Sequence, residues 1–462
     1  MATEQSQNDD APCAPSRGQA RGGHAPTSKH RRRVVIVGGG FGGLTAARKL
    51  RGADVEVTLV DKLHHHLFQP LLYQVALGAL STGECASPIR AGLKRSSNAT
   101  VLMAEATGID VEKRQLLLDR GDVLDYDSLI VSCGAETSYF GKDDWQDASY
   151  GMKTLSDAVE LRNRIYGAFE EAERCEDPAE RAKWMTFVVI GGGPTGIEIA
   201  GELSIIAAHT MKRQFTRIQA ADAKVILLDA GERVAAAFSE RLSRKVAKEL
   251  ASLGVEVHVG ARVSDIDARG VTASIAGADT RFDSRTVIWA AGVQPVPFVK
   301  ALAEATGAPT DRGGRIQIES DLTVPGHPEI SAIGDITSLP GPGERPLPGL
   351  ATVAIQQARH VAKGIGEGAP AAKTPFHYLD KGALAVVGRG KAVCEIRGLE
   401  FSGRPAFFLY LTIHMYYLSG GGQGRRLKVL LDWISARLGK PQNPVINSDL
   451  DSVERLPRGA RL

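Results

Sequence analysis

The chain of 462 residues is long enough for two or three domains, each with its own core. Hydrophobic residues make up 43% and charged residues 24%, which excludes low-complexity and fibrous classes. A formal net charge of +3, without a dense Lys/Arg run interleaved with aromatics, offers no footprint for nucleic acid.

Residues 1–30 are mostly small and polar with almost no large apolar side chain, which predicts a disordered tail. The tail has no apolar stretch suited to a secretory signal, and Arg31, Arg32 and Arg33 abut a strand instead of a hydrophobic region. No later segment reaches the ~20 apolar residues needed to span a bilayer. The five cysteines, Cys13, Cys85, Cys133, Cys175 and Cys394, form no C-x-x-C pair and have no zinc or iron-sulfur spacing. They are expected to be unpaired thiols in a reducing compartment.

At 33–50, "RVVIVGGGFGGLTAARKL" reads as an apolar strand, a G-x-G-x-x-G cluster and a helix. Gly38 permits the tight turn, Gly40 lets a pyrophosphate approach the backbone, and Gly43 lets helix and strand pack closely. The helix N-terminus then offers unpaired N–H groups to the phosphates. Asp61, 23 residues after Gly38 at the end of the next strand, is placed to accept hydrogen bonds from an adenosine ribose. Gly39, Phe41, Gly42 and Lys62 complete this candidate site.

The device recurs at 187–203, "FVVIGGGPTGIEIAGEL", with Gly191, Gly193 and Gly196 in the three positions. Its candidate acid is Asp229, 38 residues after Gly191, a long separation that predicts an extended helix through 205–223. A carboxylate there would repel a 2'-phosphate and favour NADH over NADPH. Strands and helices alternate as far as about 365, the pattern of parallel sheets covered by helices. "ISAIGDITSLPG" near 330 looks like the last strand of the first unit, resumed after the second ends. The expected fold class is therefore α/β, with two Rossmann-like dinucleotide-binding domains, the second inserted in the first, and a C-terminal α+β region. The expected boundaries are 31–155 with 301–368 for the first domain, 156–300 for the second and 369–462 for the C-terminal region. A chain holding two dinucleotides can pass a hydride from nicotinamide to flavin inside one crevice. A duplication with one site now empty is the alternative.

With these features in place, "HHHLFQPLLYQVALGAL" at 64–80, "TVIWAAGVQ" at 286–294, "AIGD" at 332–335, "AIQQA" at 354–358 and "DKGALAVVGRGKAV" at 380–393 resemble the type II, non-proton-pumping NADH:quinone oxidoreductases. The resemblance implies FAD in the first unit and NADH in the second, with Gly292 in the NADH site. It implies that Asp335 binds the ribityl or pyrophosphate part of FAD and that the backbone of Ala106 meets the adenine. Ala351, Thr352 and Val353 would aim their N–H groups at the flavin pyrimidine. Three side chains are then expected to carry chemistry: Glu198 as a proton relay near nicotinamide and quinone, Gln356 as an amide donor to a quinone carbonyl, and Lys381 as a cation beside the flavin. The resemblance places the His64–His66 run beside the flavin through backbone and packing. "VSCGA" departs from the more usual Ala-Thr-Gly and puts Cys133 at a turn near FAD.

"PAFFLYLTIHMYYLSGG" at 405–421 is apolar but too short to span, which suits a segment lying in a membrane interface. Beyond it, Leu427, Leu430, Leu431 and Ile434 fall on one helical stripe, with Arg425, Arg426, Lys428, Arg437 and Lys440 against Asp432. An apolar face with a cationic flank reads as attachment to a membrane surface. A docking helix in a homodimer is the competing reading. The expectation is a peripheral membrane enzyme on the cytoplasmic face of the inner membrane, taking electrons from NADH to a membrane quinone. A flavoprotein reductase with a soluble or sulfide-linked partner and a redox sensor without turnover are the alternatives.

Overall fold

The computed structural model describes residues 31–212, 214–341, 346–372, 374–388, 390–418, 426–431 and 433. The N-terminal tail, the segment 441–457, and Arg425, Asp432, Ile434, Arg437 and Lys440 lie outside the described residues.

The first sheet has six strands, in spatial order Thr323–Val324, His327–Ala332, Ser128–Val131, Arg32–Val37, Val55–Asp61 and Ala99–Met103. Strand His327–Ala332 pairs in parallel with Ser128–Val131, Ile330 facing Leu129 and Ala332 facing Val131. Chain from beyond residue 300 thus completes a sheet begun at residue 32. These strands are near-continuous apolar runs because they are covered by helices Phe41–Lys49 and Ala351–Gly366 and by the antiparallel strands at 106–125, whose Leu116 and Leu118 share their core. Val34, Ile36, Leu59, Ile130 and Ile330 are all fully or almost fully buried.

Between those strands the chain builds a second, four-stranded parallel sheet in the order Val255–Val259, Lys224–Asp229, Thr186–Ile190 and Thr286–Trp289. Alternation along Thr186–Ile190 sends its side chains to two different cores. Val188 and Ile190 face the three-stranded antiparallel sheet at 262–283. Phe187 and Val189 join a larger core with the segment Phe68–Cys85 of the first unit and with Ala385, Val393 and Tyr410 of the C-terminal region. Each such side chain, fully buried, contributes about 1.5–3 kcal/mol, so this shared core holds the three parts together.

The helix Leu155–Arg174 leads into the second unit. Thr154 caps it, its hydroxyl accepting the Asp157 N–H at 3.1 Å while the Asp157 carboxylate accepts the Thr154 N–H at 2.8 Å. Leu161, Ile165 and Phe169 then enter the shared core.

The expected long helix after the second glycine motif does not form. Helix Pro194–Ile205 ends in a single wide turn, Ile206–Thr210, and the chain continues irregularly to a short helical turn at Ala220–Asp222. The carboxylate of Glu173 replaces the helical acceptors there, taking the N–H groups of Thr216, Arg217 and Ile218 at 2.9 to 3.0 Å. Phe215 stacks on Phe169 at 6.0 Å and fixes the loop to the core.

Among the described residues the C-terminal region contains a three-stranded antiparallel sheet, Ala383–Val386, Ala392–Ile396 and Leu399–Gly403, then helix Arg404–Tyr417 and a helical stretch at 426–431. That helix does not lie wholly on a surface. Ala406, Tyr410 and His414, four residues apart, are buried, whereas Phe408 and Tyr416 are exposed. Among the described residues no helix is long and apolar enough to cross a membrane.

Candidate functional site

Both glycine motifs fold alike, for a steric reason. Gly38 and Gly191 have φ of +97° and +110°, and a Cβ on Gly43 or Gly196 would sit 1.8 Å from the carbonyl oxygen of Gly38 or Gly191. Only glycine at both places lets the helix start pack against the strand end. A Cβ on Gly40 or Gly193 would meet nothing within 4 Å, so each loop opens onto empty space where a pyrophosphate would approach.

Each loop is held from beneath by its strand-end acid. Asp61 Oδ2 accepts the Gly39 N–H at 2.5 Å and Oδ1 accepts the Leu63 N–H at 2.6 Å. Asp229 repeats this with Gly192 at 2.5 Å and Gly231 at 2.7 Å. Burial raises the Asp61 carboxyl above its ordinary range, and these backbone donors pull it back. Each oxygen keeps a second lone pair for a ribose hydroxyl.

A cleft of about 1550 Å³ runs between the two units and the C-terminal region. Gly38, Gly39, Gly40, Phe41, Gly42, Asp61, Lys62, Ala106, Asp335 and Ala351 line it. Lys62 is exposed at the rim, 3.9 Å from Glu105 Oε1. Asp335 is 3.6 Å from Lys153 Nζ, and both charges are largely shielded from solvent. The helix Ala351–Gly366 points its N-terminus at the cleft, where the N–H groups of Ala351 and Thr352 have no acceptor in the helix itself. Val353 differs from its expected role. Its side chain is buried in the core and its N–H donates to the Leu350 carbonyl at 3.0 Å.

The cleft fits FAD on a further observation. His65 Nε2, deep in the cleft wall beside Asp61, is a buried nitrogen without a hydrogen-bond partner. Burial lowers its imidazole below the ordinary range, so at neutral pH it stands uncharged. The neighbouring His66 turns the other way, Nδ1 lying 3.0 Å from the Gly39 carbonyl and its ring edge-on to Phe41 at 5.1 Å. The histidine run therefore contributes a side chain to the cleft as well as backbone. Strand alternation hides that in a sequence where three histidines look equivalent.

Glu198 stands on the second glycine-motif helix yet lines the same cleft as the first motif. Burial pushes its carboxyl up to about 8, opposed by the Val386 N–H, which donates to Oε1 at 3.2 Å. A side pocket of about 150 Å³ joins Glu198 to Gly292, Thr195, Trp289 and Tyr73. The Tyr73 and Tyr410 hydroxyls are driven well above their ordinary range, chiefly by burial and secondarily by nearby groups including Glu198. Gly292 is thus grouped with Glu198, and Ala290, which lines the same pocket, has the carbonyl that a Cβ on Gly191 would meet.

Two expected side chains are engaged elsewhere. The Gln356 amide donates to the Leu379 carbonyl and accepts the Leu379 N–H, both at 3.0 Å. It clamps the approach to the C-terminal sheet. Lys381 Nζ donates to the Tyr417 hydroxyl at 3.0 Å, which ties the start of that sheet to helix Arg404–Tyr417. Neither is among the residues lining the cleft. Lys153, Tyr73 and Tyr410, which do line it or its side pocket, were not singled out from sequence. A tyrosine in "PLLYQVA" or "FFLYLTI" has no local mark separating it from a core aromatic. Cys133 lines the cleft as expected, and burial pushes its thiol up to about 12, which leaves it unreactive. No disulfide joins the described cysteines Cys85, Cys133, Cys175 and Cys394.

Comparison with known proteins agrees with this geometry. Residues 32–358 match the pyridine nucleotide-disulphide oxidoreductase family. The type II NADH:quinone oxidoreductase Ndh of Mycobacterium tuberculosis (strain ATCC 25618 / H37Rv) is 44% identical over 440 residues, covering 93% of this chain and 94% of its own. Among solved structures, NDH2 from Plasmodium falciparum in complex with NADH superposes with a TM-score of 0.82 at 19% identity, over 90% of this chain and 100% of that one. The sulfide:quinone oxidoreductase of Aquifex aeolicus shares the fold at a TM-score of 0.68 and 18% identity, over 87% and 92% of the two chains. With that level of identity maintained along nearly the whole of both sequences, this chain belongs to the type II NADH:quinone oxidoreductases.

Proposed function

We propose that the protein passes two electrons from NADH by way of FAD to a membrane quinone, without pumping protons, and that Glu198 supplies a proton to the quinone as it is reduced. NADH, a proton and quinone are consumed; NAD⁺ and quinol are formed. The observation that carries the reading is the single cleft in which the first glycine motif and Glu198 of the second face each other. FAD, when bound, would supply a two-electron carrier between NADH and the quinone.

The protein's own groups then divide the work. In the first unit, residues 31–155 and 301–368, the Gly38–Gly43 loop, Asp61, His65 and Ala106 hold the adenosine end of FAD. Asp335, steadied by Lys153, and the N-terminus of helix Ala351–Gly366 hold its other end. In the second unit, residues 156–300, the Gly191–Gly196 loop and Asp229 orient NADH, with Gly292 leaving room beside Glu198. A carboxyl near 8 is mostly protonated at neutral pH, so it can give a proton to a quinone oxygen and recover one from water. Gln356 and Lys381 act as positioning residues, fastening the 376–383 segment through Leu379 and Tyr417.

The same reading places the enzyme on the cytoplasmic face of the inner membrane, where NADH is available. Leu427 and Leu431 are more than half exposed in the helical stretch 426–431, close in sequence to the exposed Phe408 and Tyr416. The described cations of that stretch serve the protein itself. Lys428 pairs with Glu84 at 2.5 Å and Arg426 donates to the Tyr416 carbonyl at 3.1 Å, so attachment rests more on apolar contact than on charge.

The direct test is anaerobic. NADH should bleach the bound flavin of the purified protein and a quinone should restore it; a flavin that NADH leaves oxidised would refute the scheme. Substituting Glu198→Gln should lower quinone-dependent turnover by at least about tenfold while flavin reduction by NADH continues. A carboxyl held at about 8 when folded, against 4.5 otherwise, contributes stability fully below pH 4.5 and loses it as pH rises through 8. The Gln variant should therefore gain stability over the parent between pH 5 and pH 9, on the order of 2 kcal/mol once screening at the open cleft is allowed for. A pH-independent difference in unfolding free energy would show that Glu198 is not held protonated. With Asp229→Ser, the kcat/KM ratio of NADPH to NADH should rise about tenfold as a repelling charge is removed, and an unchanged ratio would place the adenosine ribose elsewhere. Finally, Leu427→Ser with Leu431→Ser should weaken flotation with phospholipid vesicles by about tenfold or more. If a second copy covers this face instead, the parent will sediment as a dimer that ignores vesicles and that the double variant dissociates.

A further inference from the structure

The wall of the Glu198 pocket is joined to the C-terminal helical stretch by a run of hydrogen-bonding side chains. Trp433 Nε1 donates to Gln74 Oε1 at 2.8 Å, and Gln74 Nε2 donates to the Tyr73 hydroxyl at 3.0 Å. That hydroxyl lies 3.4 Å from the Tyr410 hydroxyl. Tyr73, Gln74 and Tyr410 are all buried. Tyr73 lines the side pocket with Glu198, and Tyr410 lines the main cleft with it.

Gln74 has both a donor and an acceptor in use: among the described residues its oxygen accepts from Trp433 of the C-terminal stretch, and its nitrogen donates to Tyr73 of the pocket wall. Removing the Trp433 N–H would leave a buried amide oxygen without a partner, and the amide would turn to find one and release Tyr73. Ring packing runs alongside the hydrogen bonds, with Tyr410 6.2 Å from Trp433 and 3.9 Å from His414.

A second fastening lies nearby. Lys428 pairs with Glu84, a carboxylate only 3% exposed that also accepts the Ser81 N–H at 2.6 Å. Val429, between Lys428 and Trp433 in sequence, is fully buried in the shared core. The C-terminal stretch thus grips the 74–84 segment at two points while turning Leu427, Leu430 and Leu431 outward.

We propose that Gln74 and Trp433 are positioning residues through which seating of the C-terminal helical stretch sets the Tyr73–Tyr410 wall of the Glu198 pocket, so that acceptance of quinone, and not oxidation of NADH, depends on that stretch being docked. This rests on the reading of the Glu198 pocket as the place where quinone is reduced. It makes the segment facing the lipid a determinant of the acceptor step.

Trp433→Phe keeps an aromatic side chain but loses the N–H together with part of the indole that packs near Tyr410; Gln74→Met keeps chain length, leaves the indole in place and deletes both hydrogen bonds. Each is to be compared with the parent as holoenzyme, with FAD content and thermal midpoint measured first. Steady-state rates are then taken with ferricyanide and with a short-chain quinone. The expected result is a KM for quinone raised about fivefold or more, with the KM for NADH and the ferricyanide rate within about twofold of the parent. Equal losses with both acceptors, or an unchanged quinone KM in both variants, would overturn the coupling. Should Trp433→Phe lose FAD, Gln74→Met decides alone by the same measure, since it leaves the C-terminal side chains intact. Glu198→Gln in the same assay separates the two layers. If it spares the quinone step, the pocket assignment fails and the coupling with it; if it impairs that step while neither positioning variant does, only the coupling fails.

Discussion

Twice in this protein a strand-end carboxylate reaches under a glycine loop and accepts the loop's N–H, Gly39 by Asp61 and Gly192 by Asp229, while its other oxygen takes an N–H two residues further on. That clamp does three things at once. It holds the loop open where the two central glycines leave space, it pins the strand end against the helix start, and it leaves lone pairs on the carboxylate uncommitted to these backbone donors. The close approach of Gly43 to Gly38 and of Gly196 to Gly191 leaves no room for a side chain, so the clamp can form only on this pattern. The helix that follows the second clamp carries Glu198 to the cleft lined by the first.

The arrangement comes from a shared core. Segment Phe68–Cys85 leaves the first unit and packs among Phe187, Val189 and Leu227 of the second, with Ala385 and Tyr410 of the C-terminal region closing over them. That packing carries Tyr73 to Glu198 and removes water from the carboxyl, which is why it holds its proton near neutral pH. The Val386 N–H donates to Glu198 from the C-terminal sheet, so the carboxyl is touched by a part of the chain nearly two hundred positions away.

Local marks made much of this legible. The glycine spacings, the acids at the strand ends and the late strand at 327–332 are patterns of neighbours, and neighbour patterns survive folding. The helix expected through 205–223 failed because a distant carboxylate, Glu173, offered the backbone better acceptors than a further helical turn would. Gln356 and Lys381 were expected beside the quinone and the flavin, and their polar atoms are taken by Leu379 and Tyr417, partners far enough along the chain that no spacing announces them. The stripe at 427–431 did turn outward, but its described cations face the protein because Glu84 and the Tyr416 carbonyl are within reach.

The amino-acid order by itself determined the two glycine loops and their strand-end acids, since each depends on steric and hydrogen-bonding demands met within about forty residues, and it carried the motifs of the family. Only the tertiary structure decided which polar groups share the cleft. It brought His65, Lys153, Tyr73 and Tyr410 to the site, left Gln356 and Lys381 at its supports, and raised the Glu198 carboxyl to about 8. Desolvation and the pairing of side chains are properties of what packs around a group, and that is settled by contacts between segments the sequence keeps far apart.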